Sequence, residues 1–197
     1  TTGSPHDQYH FKRPERMVGG QVSTPRLDLA NEDLIRAHIH STWLSETGAS
    51  LGKSLKDVLD LNDQENLPVQ TNVIQQLKTP QALERARGRA QRILKTIAGE
   101  LSNAPWYDEE WLDRQLSQAV EQFDRACERW RGLFQAAREQ QRIQNDIVKD
   151  PSRPEKDRRI AAQLRREAET QLSLLTAESS IVQSDFYSYR FFASEGF

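Results

Sequence analysis

From about Asp108 to Val148 the chain runs without a proline and with one glycine, Gly132, and this stretch dictates most of what the rest can do. Within it Leu112, Leu116, Ala119, Phe123, Ala126, Trp130, Phe134 and Ala137 recur at steps near three and four. Residues at those steps share one side of an α-helix and form a near-heptad seam that needs something to pack against. Unbroken, such a helix would be roughly 60 Å long at about 1.5 Å per residue, far beyond an average globular helix. Asp150-Pro-Ser-Arg-Pro154 then forces a tight connection. Glu155 to Ala177 restarts helical spacing, with Ile160, Leu164, Ala168, Leu172 and Leu175 as the expected buried side. Two long helices with so short a link fold back as an antiparallel hairpin, assigned to residues 105–178.

The preceding residues, 31–104, read as a helical subdomain. Asn31 is placed to cap a helix reaching about Leu44, with Asp33 in its first turn and Leu34, Ile35, His38, Ile39 and Leu44 setting the period. Ser54 with Asp57 is a capping box that uses the shorter acid. Pro68 to Lys78 suits another short helix, and Thr79-Pro80 opens one expected to run to about Leu101. Its apolar stripe is Leu83, Ala86, Ala90, Ile93, Leu94, Ile97 and Leu101. Residues 1–30 carry Pro5, Pro14, Pro25, Gly3, Gly19 and Gly20, which break regular structure and predict an extended linker with Tyr9 and Phe11 as docking aromatics. In 179–197, Tyr187, Tyr189 and Phe191 alternate with Ser188, Arg190 and Phe192, which suits a strand or an extended aromatic segment, and the first three are read as docking aromatics that pack against a following domain. The expected fold is mainly all-α, with short helices, a long antiparallel helical hairpin, and extended N-terminal and C-terminal segments.

Charge bounds the function classes. The net charge of −2 in 197 residues is unlike a free-standing nucleic-acid-binding domain, which carries a clear positive excess. Basic residues are nevertheless concentrated between Lys78 and Lys95, where Arg85, Arg87, Arg89, Arg92 and Lys95 face the single acid Glu84. Arg85, Arg89 and Arg92 share a helix face, and guanidinium forks on a helix can track phosphates. These five are the candidate nucleic-acid contacts, with DNA as the expected partner. A solvated face, or arginines satisfying acidic neighbours, is the competing reading.

No other constellation offers chemistry. Gly48-Ala-Ser-Leu-Gly52-Lys-Ser54 lacks the four-residue glycine spacing and the preceding strand of a phosphate loop, and reads as an interhelical turn. His38 and His40 are two apart and point to different sides of a helix; His6 and His10 sit between prolines with no carboxylate pair. Asp108, Glu109, Glu110 and Asp113 lie at a helix start, where acids complement the macrodipole. No catalytic residue and no metal or cofactor are therefore assigned. Cys127 is the single cysteine, so no internal disulfide or cysteine cage can form, and it is expected to be an inert helix residue. No apolar run approaches the roughly 18 residues of a membrane span and no signal pattern opens the chain, so the default expectation is cytoplasm, with no membrane partner. Trp106, Trp111 and Trp130 are read as the aromatics that dock the hairpin, and an aromatic-rich heptad face could recruit a partner helix.

Four segments carry a family likeness: Asp7-Gln-Tyr9, Arg13-Pro-Glu-Arg-Met17, Pro25-Arg-Leu-Asp-Leu-Ala-Asn31 and the closing Ser184-Asp-Phe-Tyr-Ser-Tyr-Arg-Phe-Phe-Ala-Ser-Glu-Gly-Phe197. Together they resemble the region after the second motor domain in large superfamily-two DEAD/DEAH-box helicases of DISARM-type phage-defence systems. The resemblance implies a longer ATP-dependent parent, with ATP and magnesium bound in motor domains outside these residues. It also implies that residues 1–30 dock on the preceding motor domain and that residues 179–197 begin a following one. The remainder of the helicase chain and a protein partner subunit are then the expected neighbours.

Overall fold

The computed structural model describes Tyr9, Lys12, residues 28–177 and residues 187–197. Phe11, His6, His10 and the greater part of the proposed linker lie outside the described residues, as does the stretch from 178 to 186. Helix α1 spans Glu32–Thr47, with the Asn31 side chain accepting the Leu34 N–H at 2.9 Å and Gly48 closing it in the left-handed region. Its buried stripe is Ile35, Ile39 and Trp43 with His40 beside it, whereas Leu34, expected inside, is half exposed. A short 3₁₀ turn, Leu55–Asp57, leads to an isolated antiparallel bridge between Leu59 and Val69. Helices α2 (Thr71–Leu77) and α3 (Pro80–Thr96) follow, then one turn, α4 (Ala98–Leu101). The helix predicted to reach Leu101 thus breaks at Ile97. Ala82, Ala86 and Ala90 are buried along α3, and their small side chains let it lie close to α1.

The turn before the 3₁₀ segment depends on one glycine. Gly52 has φ +62°, and a Cβ there would sit 2.3 Å from Asp57 Oδ2. That carboxylate accepts the N–H groups of Lys53 at 2.8 Å and Ser54 at 3.2 Å, which is the acidic half of the predicted capping box.

The long seam is present, and all eight of its predicted residues are buried. The helix carrying it is not continuous. It divides into α5 (Trp111–Ala126) and α6 (Glu128–Lys149), with a break of one residue at Cys127. At the break the Cys127 N–H reaches the Asp124 carbonyl at 3.0 Å, an i to i−3 bond in place of the α-helical one. The Arg131 guanidinium takes up the same carbonyl, Nη1 donating at 3.0 Å, so a side chain has entered the ladder and bent the helix.

Helix α7 (Glu155–Thr176) runs back along α6 as the predicted hairpin, through an Asp150–Pro154 turn in which Asp150 accepts from the Ser152 N–H and hydroxyl. Its inner residues are Ala161, Ala168 and Leu175; Ile160, expected there, is 50% exposed. The C-terminal segment corrects the extended reading. Residues Ser188–Ser194 form a helix, α8, because Phe191 and Phe192 are needed on the same side to enter the core. Phe192 stacks on Phe123 with ring centres 4.3 Å apart, and Arg129 on α6 both covers the Phe191 ring and pairs with Glu195 at 2.7 Å. One hydrophobic cluster therefore runs from Ile35 on α1 to Phe192 on α8.

Two outcomes follow from this packing. Arg131→Met should lower stability by about 2–3 kcal/mol in chemical denaturation, because the Leu67 carbonyl and the Asp124 carboxylate lose their Arg131 donor, and Arg131→Lys should recover little of it. Gly52→Ala should cost about 1–3 kcal/mol by the same measurement, from the strained φ and the Asp57 collision.

Candidate functional site

Helix α3 carries the basic row, and the structure partners most of it internally. Arg85 and Arg89, one turn apart, converge on Glu46 at the end of α1. Arg85 donates through Nε to the Glu46 carboxylate and through Nη2 to its carbonyl, both at 2.8 Å, and Arg89 Nη1 reaches the other carboxylate oxygen at 2.6 Å. Hydrogen bonds from Arg89, then Arg85, hold the Glu46 carboxyl below its usual range. Arg87 lies on another side of α3, pairing with Glu84 at 3.3 Å and with Asp113 of α5 at 3.1 Å. Arg92 and Lys95 are exposed and make no ion pair among the described residues. The row thus splits into three arginines that join α3 to α1 and α5, and two cations left facing water.

The acids at Asp108–Asp113 are likewise tied. Asp108 receives both ends of the Arg114 guanidinium, at 3.0 and 2.7 Å, and these bonds depress its carboxyl. Of the aromatic docking candidates, Trp111, Trp130 and Phe191 are buried in the chain's own core. The indole N–H groups of Trp106, Trp111 and Trp130 reach, in turn, the Ala30 carbonyl, the Glu32 carboxylate and the Leu175 carbonyl. Trp106 is partly buried against Tyr107 and Trp111. Tyr187 and Tyr189 lie against each other with centroids 5.8 Å apart, and Tyr189 is half exposed beside α1 and Phe197. Tyr9 is exposed.

The residue that organises the hairpin was not singled out from the sequence. Arg131 is buried, its side chain 7% exposed, and it touches four acceptors. Nε donates to the Leu67 carbonyl at 2.9 Å, Nη1 to the Asp124 carbonyl and to Glu128 at 2.7 Å, and Nη2 to the Asp124 carboxylate at 2.6 Å. Burial works against its charge, yet the bonds from Asp124 and Glu128 prevail and raise its pKa. Asp124, Glu128 and Arg131, at steps of four and three on one helix face, were the available signal. Gln135 adds a bond from the next turn to the Glu65 carbonyl at 2.8 Å.

Beyond this base the hairpin has two unlike faces. By helical phase, Leu133, Ile143 and Ile147 of α6 lie on the same side as Ile160, Leu164 and Leu174 of α7. Four of these, Leu133, Ile143, Ile160 and Leu174, are exposed. The opposite side is polar, with Arg138, Arg142 and Asn145 facing Arg165 and Glu169.

Besides Arg131, Cys127 and His40 are buried titratable groups. Burial pushes the Cys127 thiol up to about 12, which keeps it protonated and chemically quiet. His40 is stacked on Phe197 with centroids 4.9 Å apart, and its Nε2 has no hydrogen-bond partner. Burial, reinforced by the nearby Arg36 charge, lowers its pKa from 6.5 to about 4. Asp33, Arg36, Arg125 and Glu195 line the hollow beside it. No helix among the described residues is long and apolar enough to cross a membrane.

Comparison with known proteins adds one likeness. A stretch of 37 residues is 46% identical to Druantia protein DruE of Escherichia coli (strain UMEA 4076-1), covering 19% of this chain. The matched stretch spans only 2% of that protein's length. No protein-family description and no solved structure matches the chain.

A pH dependence follows from His40. Its folded-state pKa lies below the unfolded value, so the unfolded chain binds the proton first. Stability should be intact above about pH 6.5 and fall as the pH drops toward 4, by up to about 3 kcal/mol. Thermal melts across that range should show the loss, and His40→Phe, which keeps the ring stack, should flatten it.

Proposed function

We propose that this chain is a non-catalytic helical region of a phage-defence protein, acting as a rigid arm that docks a partner subunit or another part of a longer chain. The defence role is supported by the likeness to Druantia protein DruE and by the resemblance of the N-terminal and closing segments to defence helicases. The arm is supported chiefly by its base. Arg131 and Gln135 tie α6 to the 65–67 loop, Trp130 ties it to the end of α7, and the exposed Ile143 and Ile160 lie beyond all three. A hairpin held this way moves with the body, and apolar side chains left outside on one face suit helix-to-helix docking.

DNA contact by a helicase accessory region is the second reading. Arg92 and Lys95 favour it, since both stay exposed and without an ion pair among the described residues. The pairs of Arg85 and Arg89 with Glu46 weigh against it, because a phosphate would have to displace a carboxylate already held by both. A helicase parent would bind ATP and magnesium in its motor domains.

The two readings separate in cells carrying the intact defence protein. Ile143→Glu with Ile160→Glu should abolish protection in a phage-plating assay while leaving the melting transition of the chain unchanged. Charge reversal at Arg85, Arg89 and Arg92 should leave DNA affinity unaltered in anisotropy titrations. If that reversal instead weakens DNA binding and flattens its salt dependence, the DNA reading of α3 replaces the arm.

A further inference from the structure

The polar face of the hairpin holds a cleft of about 660 Å³, within the roughly 300–1,000 Å³ of small-molecule sites. It is bounded by α6, α7 and the loop that Arg131 and Gln135 fasten to α6. Arg138, Arg142 and Arg165 enter it together with the carboxamides of Gln64, Gln141 and Asn145. Every side chain that lines it is polar or charged. We infer that this cleft binds a phosphorylated nucleoside, either free or as one unit of a single strand.

The chemistry of the lining carries the inference. Guanidinium forks match phosphate oxygens two at a time, and carboxamides, with a donor and an acceptor side by side, match the edges of bases. Arg138 and Arg142 lie one turn apart, about 6 Å along the helix, so they can hold a single phosphate between them or two in succession. Arg138 has no carboxylate partner among the described residues; its guanidinium rests over the Phe134 ring at 5.9 Å. Arg165 Nε is closed off from water without a hydrogen bond, its closest carboxylate, Glu169, standing 3.4 Å away. Its Nη1 makes only a long contact, 3.4 Å, to Asn145. Arg142 is paired on its own helix with Glu139 at 2.7 Å and Asp146 at 3.6 Å, but both pairs are more than half exposed and such pairs exchange readily for a better acceptor. Three guanidiniums thus stand among three carboxylates, Glu139, Asp146 and Glu169, and Arg138 is the one that pairs with none of them.

This goes beyond docking through the apolar face, and its failure would be read separately, since the plating assay uses Ile143 and Ile160. The test is titration of the chain with a short fluorescein-labelled oligothymidylate by anisotropy, and with AMP by calorimetry, at low salt. Binding of the strand alone assigns the cleft to strand units, and binding of AMP assigns it to free nucleotides; either supports the inference. Arg138→Gln with Arg142→Gln should then weaken binding about tenfold or more without moving the melting transition, and Arg165→Gln should weaken it independently. Arg92→Gln with Lys95→Gln should leave it unchanged. Absence of binding to both probes would overturn the inference. So would equal loss in the Arg92 and Lys95 variant, equal affinity for inorganic phosphate, or binding of oligoglutamate in preference to both.

Discussion

The guanidinium of Arg131 is the contact on which the arrangement of the long helices depends. A fully helical Asp108–Val148 segment would carry its seam straight on, and Trp130 and Phe134 would point where the core is not. Instead the Cys127 N–H turns to the Asp124 carbonyl, and Arg131 Nη1 shares that acceptor. The same side chain holds the Leu67 carbonyl of the body and the carboxylates of Asp124 and Glu128. A buried cation is tolerable only when its donors find acceptors, and here the planar fork meets four.

Around that bend the remaining elements gather in a consistent order. Phe123, just before it, receives Phe192 of α8; Arg129, just after it, pairs with Glu195. Trp130 stacks on Phe134 and donates to the last turn of α7. The hairpin is therefore fixed on the side of the loop and on the side of the C-terminal helices, and its outer half inherits that orientation. The outer half also divides its chemistry, with exposed apolar side chains on one face and arginines on the other.

Much of this was legible in the sequence, for identifiable reasons. The all-helical hairpin followed from eight apolar residues at helical steps, and every one of them is buried. Asn31 and Thr79-Pro80 marked helix starts correctly because caps act locally. What failed was non-local. The break at Cys127 needs the Leu67 carbonyl, some sixty residues away, to make an arginine worth burying. Tyr187 to Phe192 alternate like a strand, yet α8 is a helix because the core offers a socket for adjacent phenylalanines. Ile160 matched the helical period but fell off the seam, which the small residues Ala161 and Ala168 occupy. For the candidate site, the basic row was visible as a row, while Glu46, which joins two of its members, lies on another helix and gave no local sign.

The most direct test of the clamp is a pulsed electron-resonance distance between spin labels at Ser152→Cys on the hairpin tip and Ser50→Cys in the body. With Arg131 in place the distances should form one narrow distribution, because the hairpin and the body move together. In the Arg131→Met background the distribution should broaden while the helical content stays. An equally narrow distribution at the same distance without Arg131 would contradict its role, and would mean that apolar packing at Trp130, Phe134 and Phe192 alone sets the arm.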